Sequence, residues 1–234
     1  MSRYTSAYSS LLQQLKEVEI LQRDASRRER EDAVGLRREI NASCRAAIVL
    51  LCARLEGYIE ELGVVALQSI HMKQVSRDGL APQLFYHLSK DLLKEVGEAT
   101  APERIAASVF AFLDSDLPLW GRRGPFPVAP SSHRFNEGFS NPSFDKIRAY
   151  FNRFGYANYS RDLGRLLKAE YMPVVNLVNH LVDTRNQIAH GDAAATKPPR
   201  DVHQMTLMIR KYCGATDSVF GAWCKSNMCC IRSA

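Results

Sequence analysis

The stretch "VVNLVNHLVDTRNQIAHGD", Val174 to Asp192, reads as an amphipathic helix that stops at a glycine. Val174, Val178, Leu181 and Ile188 recur at helical spacing, the pattern of one face turned to a core. Gly191 follows the last periodic residue, where a left-handed C-terminal cap favours glycine. The row has one interruption. Between Leu181 and Ile188, the position that should continue it holds Arg185. An unpaired charge withdrawn from water is costly, so a helix that keeps one there faces a cleft or a partner surface.

The same period recurs outward from this segment. "YSSLLQQLKEVEILQRDASRRERED" sets Leu11, Leu15, Val18 and Leu21 on one face before a charged second half, giving an amphipathic helix within residues 1–33. Gly35 separates it from the longest periodic run, "LRREINASCRAAIVLLCARLEGYIEELGVVALQSIHM". That run is the predicted central helix, with Ile40, Cys44, Ala47, Leu51, Leu55 and Ile59 as its core stripe. Shorter helices are predicted at 82–97 and 101–114, where Pro82 and Pro102 suit first-turn positions. Residues 117–142 carry five of the ten prolines and are expected to form one long loop. "NPSFDKIRAYFNRFG" restarts a helix, with Asn141 or Ser143 as cap and Gly155 as stop. Helices follow at 160–170 and over the opening stretch, 171–191, and a last one starts near Arg200. No repeat, alternating strand pattern or β-α-β rhythm is present. The expected class is all-α, one helical domain over residues 1–234.

Composition is compatible with that. The 234 residues are 46% apolar and 24% charged, as in an ordinary core and surface. The formal net charge of +6 favours an anionic partner without amounting to a nucleic-acid signature. Arginine outnumbers lysine 22 to 9, and the planar guanidinium is the better donor to phosphate. No apolar run is long enough to cross a bilayer, and "MSRYTSAYSSLLQQL" lacks a secretory apolar segment, so a cytoplasmic location without membrane association is expected. Cys44 and Cys52 sit in an apolar helical run as buried thiols, and "CKSNMCC" lacks the second pair that zinc needs. His71, His87, His133 and His203 have no carboxylate or second histidine at ligand spacing, so neither a metal nor another cofactor is expected.

The opening stretch also carries chemistry. On a helix Asn186 and His190 are i,i+4 neighbours, Arg185 lies about 100° from Asn186, and Asn179 and Asp183 extend the polar stripe. Arginine can hold a phosphate and offset charge developing on it. Histidine moves a proton near neutral pH, and an amide orients a hydroxyl or the imidazole. On RNA the nucleophile can be the substrate's own 2′-hydroxyl, which removes any need for a metal. Arginine four intervening residues before histidine is by itself a weak pattern, equally suited to an Arg–Asp surface pair and a solvated histidine.

"RNQIAHG" resembles the R-polar-x3-H motif of the HEPN superfamily, compact helical domains that include metal-independent ribonucleases. "REINASCRAAIVLLCARLEGYIEEL" and "FNEGFSNPSFDKIRAYFNRFGY" resemble the early helix and middle section of its RiboL-PSP branch, so the likeness runs from about residue 36 to 213. The resemblance implies a HEPN-type bundle and an endoribonuclease with Arg185, Asn186 and His190 as catalytic residues. It implies RNA as partner, a homodimer with the motifs facing across a shared basic cleft, and a toxin or anti-phage defence role with an antitoxin protein. A catalytically inactive module of the same fold, binding RNA, nucleotide or a protein, is the alternative. Glu56 and Tyr58 in "LEGYIEEL" are candidate supports of the site, and Arg122 and Arg123, beside Trp120 and Phe126, candidate RNA contacts. The run from Arg27 to Glu39 is mixed in sign and reads as a solvated face, with contact to an RNA backbone as the alternative.

Overall fold

The computed structural model describes residues 4–121, 123–192 and 194–232. Among these there are nine α-helices and no strand. They are α1 (Ser6–Asp32), α2 (Arg37–Met72), α3 (Pro82–Glu98), α4 (Pro102–Ser115), α5 (Ser132–Asn136), α6 (Phe144–Asn152), α7 (Tyr159–Leu167), α8 (Tyr171–Ala189) and α9 (Pro199–Asn227). None is long and apolar enough to cross a membrane.

The bundle is built on α2. Its whole stripe from Ile40 to Ile59 is buried, each leucine or isoleucine in it contributing about 1.5–3 kcal/mol. Leu11, Leu15 and Val18 of α1 are buried beside it, while Leu21 packs at the edge. The turn between α1 and α2 is tight because the Asp32 carboxylate accepts from the Val34 and Gly35 amides at 3.1 and 2.8 Å. A Cβ on Gly35 would meet that carboxylate, so a larger residue there would have to displace the Asp32 side chain.

α9 lies along α2 in the same direction. Gln22 donates to the Pro199 carbonyl near its start, Tyr58 to the Cys213 carbonyl midway, and Lys73 to the Cys230 carbonyl beyond its end. α8, joined to α9 by residues 190–198, therefore runs antiparallel to α2. The start of α1 is pinned to α9: Thr5 caps α1 by accepting from the Tyr8 amide and donates its own amide and hydroxyl to the buried Asp217 carboxylate. Burial pushes that carboxyl above its usual range, and the Thr5 bonds oppose the shift.

The long loop expected over 117–142 is interrupted. A 3-10 turn at Leu117–Trp120 and the helix α5 divide it, and Phe126, Phe135 and Phe139 carry it into the core. Ser131 caps α5, and Arg134 grips the buried Asp116 carboxylate with two bonds of 2.9 and 2.7 Å. Of the two caps expected for α6, Ser143 is the one used. One expected helix limit differs. α7 stops at Leu167 because Lys168 turns left-handed, φ 52°, and a 3-10 turn follows.

Candidate functional site

α8 owes its seat to Val174, Val178 and Leu181, all buried, with Ile188 packed at the edge of the core. Its end is fixed by a double closure. The Gly191 amide returns to the Ile188 carbonyl at 3.1 Å and the Asp192 amide to the Gln187 carbonyl at 3.0 Å, with Gly191 left-handed at φ 82°. This leaves His190 as the C-cap, its amide on the Asn186 carbonyl at 2.9 Å and its side chain exposed. The imidazole makes no hydrogen bond to any described residue.

Arg185 is half-buried. Its Nη1 donates to Asn141 Oδ1 at 2.7 Å and to Asn186 Oδ1 at 3.1 Å. Asn141 is itself held: its backbone is left-handed, φ 52°, and its amide donates to Glu56 Oε2 at 3.0 Å. The chain of contacts therefore runs from the Glu56 carboxylate through Asn141 to the guanidinium and on to Asn186. Neither nearby aspartate takes the charge. Asp183 is exposed and unpaired, and Asp192 accepts from the Ala194 amide at 2.8 Å.

The surrounding electrostatics agree with this placement. Burial pushes the Cys52 thiol up to about 11, with the Arg185 charge opposing the shift and Glu56 adding to it. Glu60, one turn beyond Glu56, is raised by burial and then by the Glu56 carboxylate. The site thus carries a cation on α8 near the Glu56 carboxylate of α2 but not bonded to it, while Glu60 faces Arg153.

The structure brings Arg185, Asn186 and Glu56 together, sets His190 at the end of the same helix, and leaves Tyr58 and Arg123 elsewhere. Tyr58 is 1% exposed with its hydroxyl on the Cys213 carbonyl, so it belongs to the core and does not reach the cluster. Arg123 lies beyond the far end of α2, where Arg77 bonds its carbonyl and that of Gly124. From Glu56 to Met72 is already about 24 Å of helix. Arg122 lies outside the described residues. The aromatics expected to flank these arginines are used internally: Trp120 donates to Ser89 Oγ at 3.0 Å, and Phe126 is buried beneath Arg77. Asn179 accepts from the Phe144 amide at 2.9 Å and so anchors the start of α6 to α8.

Asn141 is the residue that sequence reasoning missed as part of the site. The signal for its backbone was present in "SNPS", since asparagine tolerates the left-handed region better than other side chains. Nothing in the sequence says which arginine it meets.

The RiboL-PSP-HEPN family model matches residues 6–220. The match starts at the first residue of α1 and includes the N-terminal helix, which the resemblance from about residue 36 did not cover. Comparison with curated proteins and with solved structures gave no match.

Proposed function

The chain belongs to the RiboL-PSP-HEPN family, and on that premise we propose that it is a metal-independent endoribonuclease whose reacting groups are Arg185, Asn186 and His190. The observation that carries this reading is how Arg185 is held. Two amide oxygens fix the guanidinium in place, and no carboxylate among the described residues pairs with it. A positioned but uncompensated charge is what a developing phosphorane dianion needs, because the protein need not break an ion pair to use it. Two other half-buried guanidiniums are spent on structure, Arg134 on the Asp116 carboxylate and Arg77 on backbone carbonyls, whereas Arg185 is held by two side-chain amides.

The reaction follows from these groups. The 2′-hydroxyl of the RNA attacks the adjacent phosphorus, forming the P–O2′ bond as the P–O5′ bond breaks. A base takes the hydroxyl proton, an acid gives one to O5′, and the products are a 2′,3′-cyclic phosphate and a 5′-hydroxyl. His190, with a free imidazole, serves as one of these. A homodimer with α8 at its two-fold supplies the second from His190 of the partner subunit. The biological setting proposed is a toxin or defence effector acting on cellular or phage RNA, restrained by an antitoxin protein.

The test is cleavage of labelled RNA by the purified chain in EDTA, with His190→Ala alongside. Cleavage should persist in EDTA, end in a cyclic phosphate, and fall about a hundredfold or more in the variant, roughly 3 kcal/mol. If the wild-type chain binds RNA and never cuts it, the inactive binding module is the correct reading.

A further inference from the structure

Four arginines near the start of the bundle are occupied, and Arg30 and Arg37 are exposed. Arg23 pairs with Glu19 at 3.0 Å, Arg27 and Arg28 with Asp24 at 2.7 and 2.8 Å, and Arg54 with Glu17 at 2.5 Å. Arg38 and Arg45 are unoccupied. Neither forms an ion pair or a hydrogen bond with any described residue, although Arg45 is half-buried. Arg38 also stands in the first turn of α2, where the helix dipole disfavours a cation. Neither residue is accounted for by the stability of its own helix.

Their position on α2 is specific. Arg45 precedes Cys52 by seven residues and Glu56 by eleven, so its direction falls about 20° from each and between the two. Arg38, a further seven residues back, stays on the same face, about 10 Å away along the axis. Cys52 and Glu56 are the α2 residues beside Arg185 and its anchor Asn141. Because α8 runs antiparallel to α2, the five residues from Arg185 to His190 lead toward the N-terminal half of α2, where Arg45 lies.

We propose that Arg45 and Arg38 form a phosphate-binding track along α2, which holds the RNA strand on one side of the Arg185–His190 site. Two guanidiniums along one face of α2, in line with Arg185 on the adjoining α8, suit a repeating polyanion and exceed what a single phosphate can use. A bound strand offsets both the desolvation of Arg45 and the adverse dipole at Arg38. The strand then follows the α1–α2 end of the bundle, away from Arg123. This inference rests on the ribonuclease reading, and its test separates the two.

The test measures binding of a short single-stranded oligoribonucleotide by fluorescence anisotropy, on a His190→Ala background that leaves the RNA intact, across a series of salt concentrations. For single strands, each neutralised phosphate contributes about 0.7 to the slope of log affinity against log salt. Arg45→Gln and Arg38→Gln should each reduce that slope by about 0.7 and the double variant by about 1.4. Arg45→Lys should keep the slope, and Arg23→Gln should change nothing. An unchanged slope in the double variant, with RNA still bound, overturns the track and leaves the ribonuclease reading standing. A wild-type chain that neither binds nor cleaves RNA overturns both.

Discussion

Arg185→Leu separates a guanidinium kept for chemistry from one kept for structure. The substitution completes the apolar row of α8 and removes the donor shared by Asn141 Oδ1 and Asn186 Oδ1. Fully burying a leucine contributes about 1.5–3 kcal/mol, so at this half-buried position roughly 1 kcal/mol is gained. An acceptor left without a donor costs about 1–3 kcal/mol when wholly buried. Asn141 and Asn186 are each partly exposed, water replaces the lost donor, and roughly 1 kcal/mol is lost. The two terms offset. At about 2–4 °C per kcal/mol for a chain of this size, the melting temperature should stay within a few degrees of wild type. Cleavage should fall a hundredfold or more, roughly 3 kcal/mol of transition-state stabilisation. Calorimetric melts and RNA cleavage on the same preparation decide the matter. A leucine variant that melts more than about 8 °C lower and still cuts RNA would refute the reasoning, because the arginine would then be a structural residue.

Three other outcomes follow from the same contacts. Asn141→Gly keeps the left-handed backbone and removes only the anchor, so it should melt near wild type and cut RNA about tenfold more slowly, while Asn141→Ala should also lose about 1 kcal/mol of stability. Light scattering at micromolar concentration should give a homodimer, and a fully active monomer would end the shared-site reading. Burial, with Arg153 and Lys90 adding, holds the His87 imidazole down to about 4 from 6.5. The unfolded chain therefore binds a proton that the folded one refuses. Stability is full above about pH 6.5 and declines as pH falls toward 4, and denaturant midpoints for His87→Asn should lack that decline.

The helices that carry the site were legible because each keeps a long apolar period. α2 shows six stripe positions from Ile40 to Ile59, all buried, and α8 shows four, three buried and Ile188 packed at the core edge. Gly35 and Gly191 mark the breaks, and the left-handed backbone at Gly191 is one that local geometry alone requires. α5 was not legible, for a physical reason. Its five residues are too few to show a period, and Phe135 and the Asp116–Arg134 pair hold it through contacts with distant parts of the chain. Prolines on both sides of it gave the reading of a loop.

The site divides along the same line. Arg185, Asn186 and His190 lie within six residues, so helix geometry alone relates them. Asn141 is 44 residues from Arg185, and its role depends on how the 117–142 segment returns to α2. Tyr58, by contrast, could be placed from helix geometry. Glu56 and Tyr58 are two residues apart on a helix, about 200° around its axis, and cannot both face α8. The core stripe of α2 puts Leu55 and Ile59 inside, which turns Tyr58 inward with them and leaves Glu56 at the boundary where Asn141 meets it. The same phase arithmetic that excludes Tyr58 selects Arg45, which shares the direction of Cys52 and Glu56. A residue's claim on the site therefore follows from its angle on α2, and nearness in sequence to a matched motif is no substitute for it.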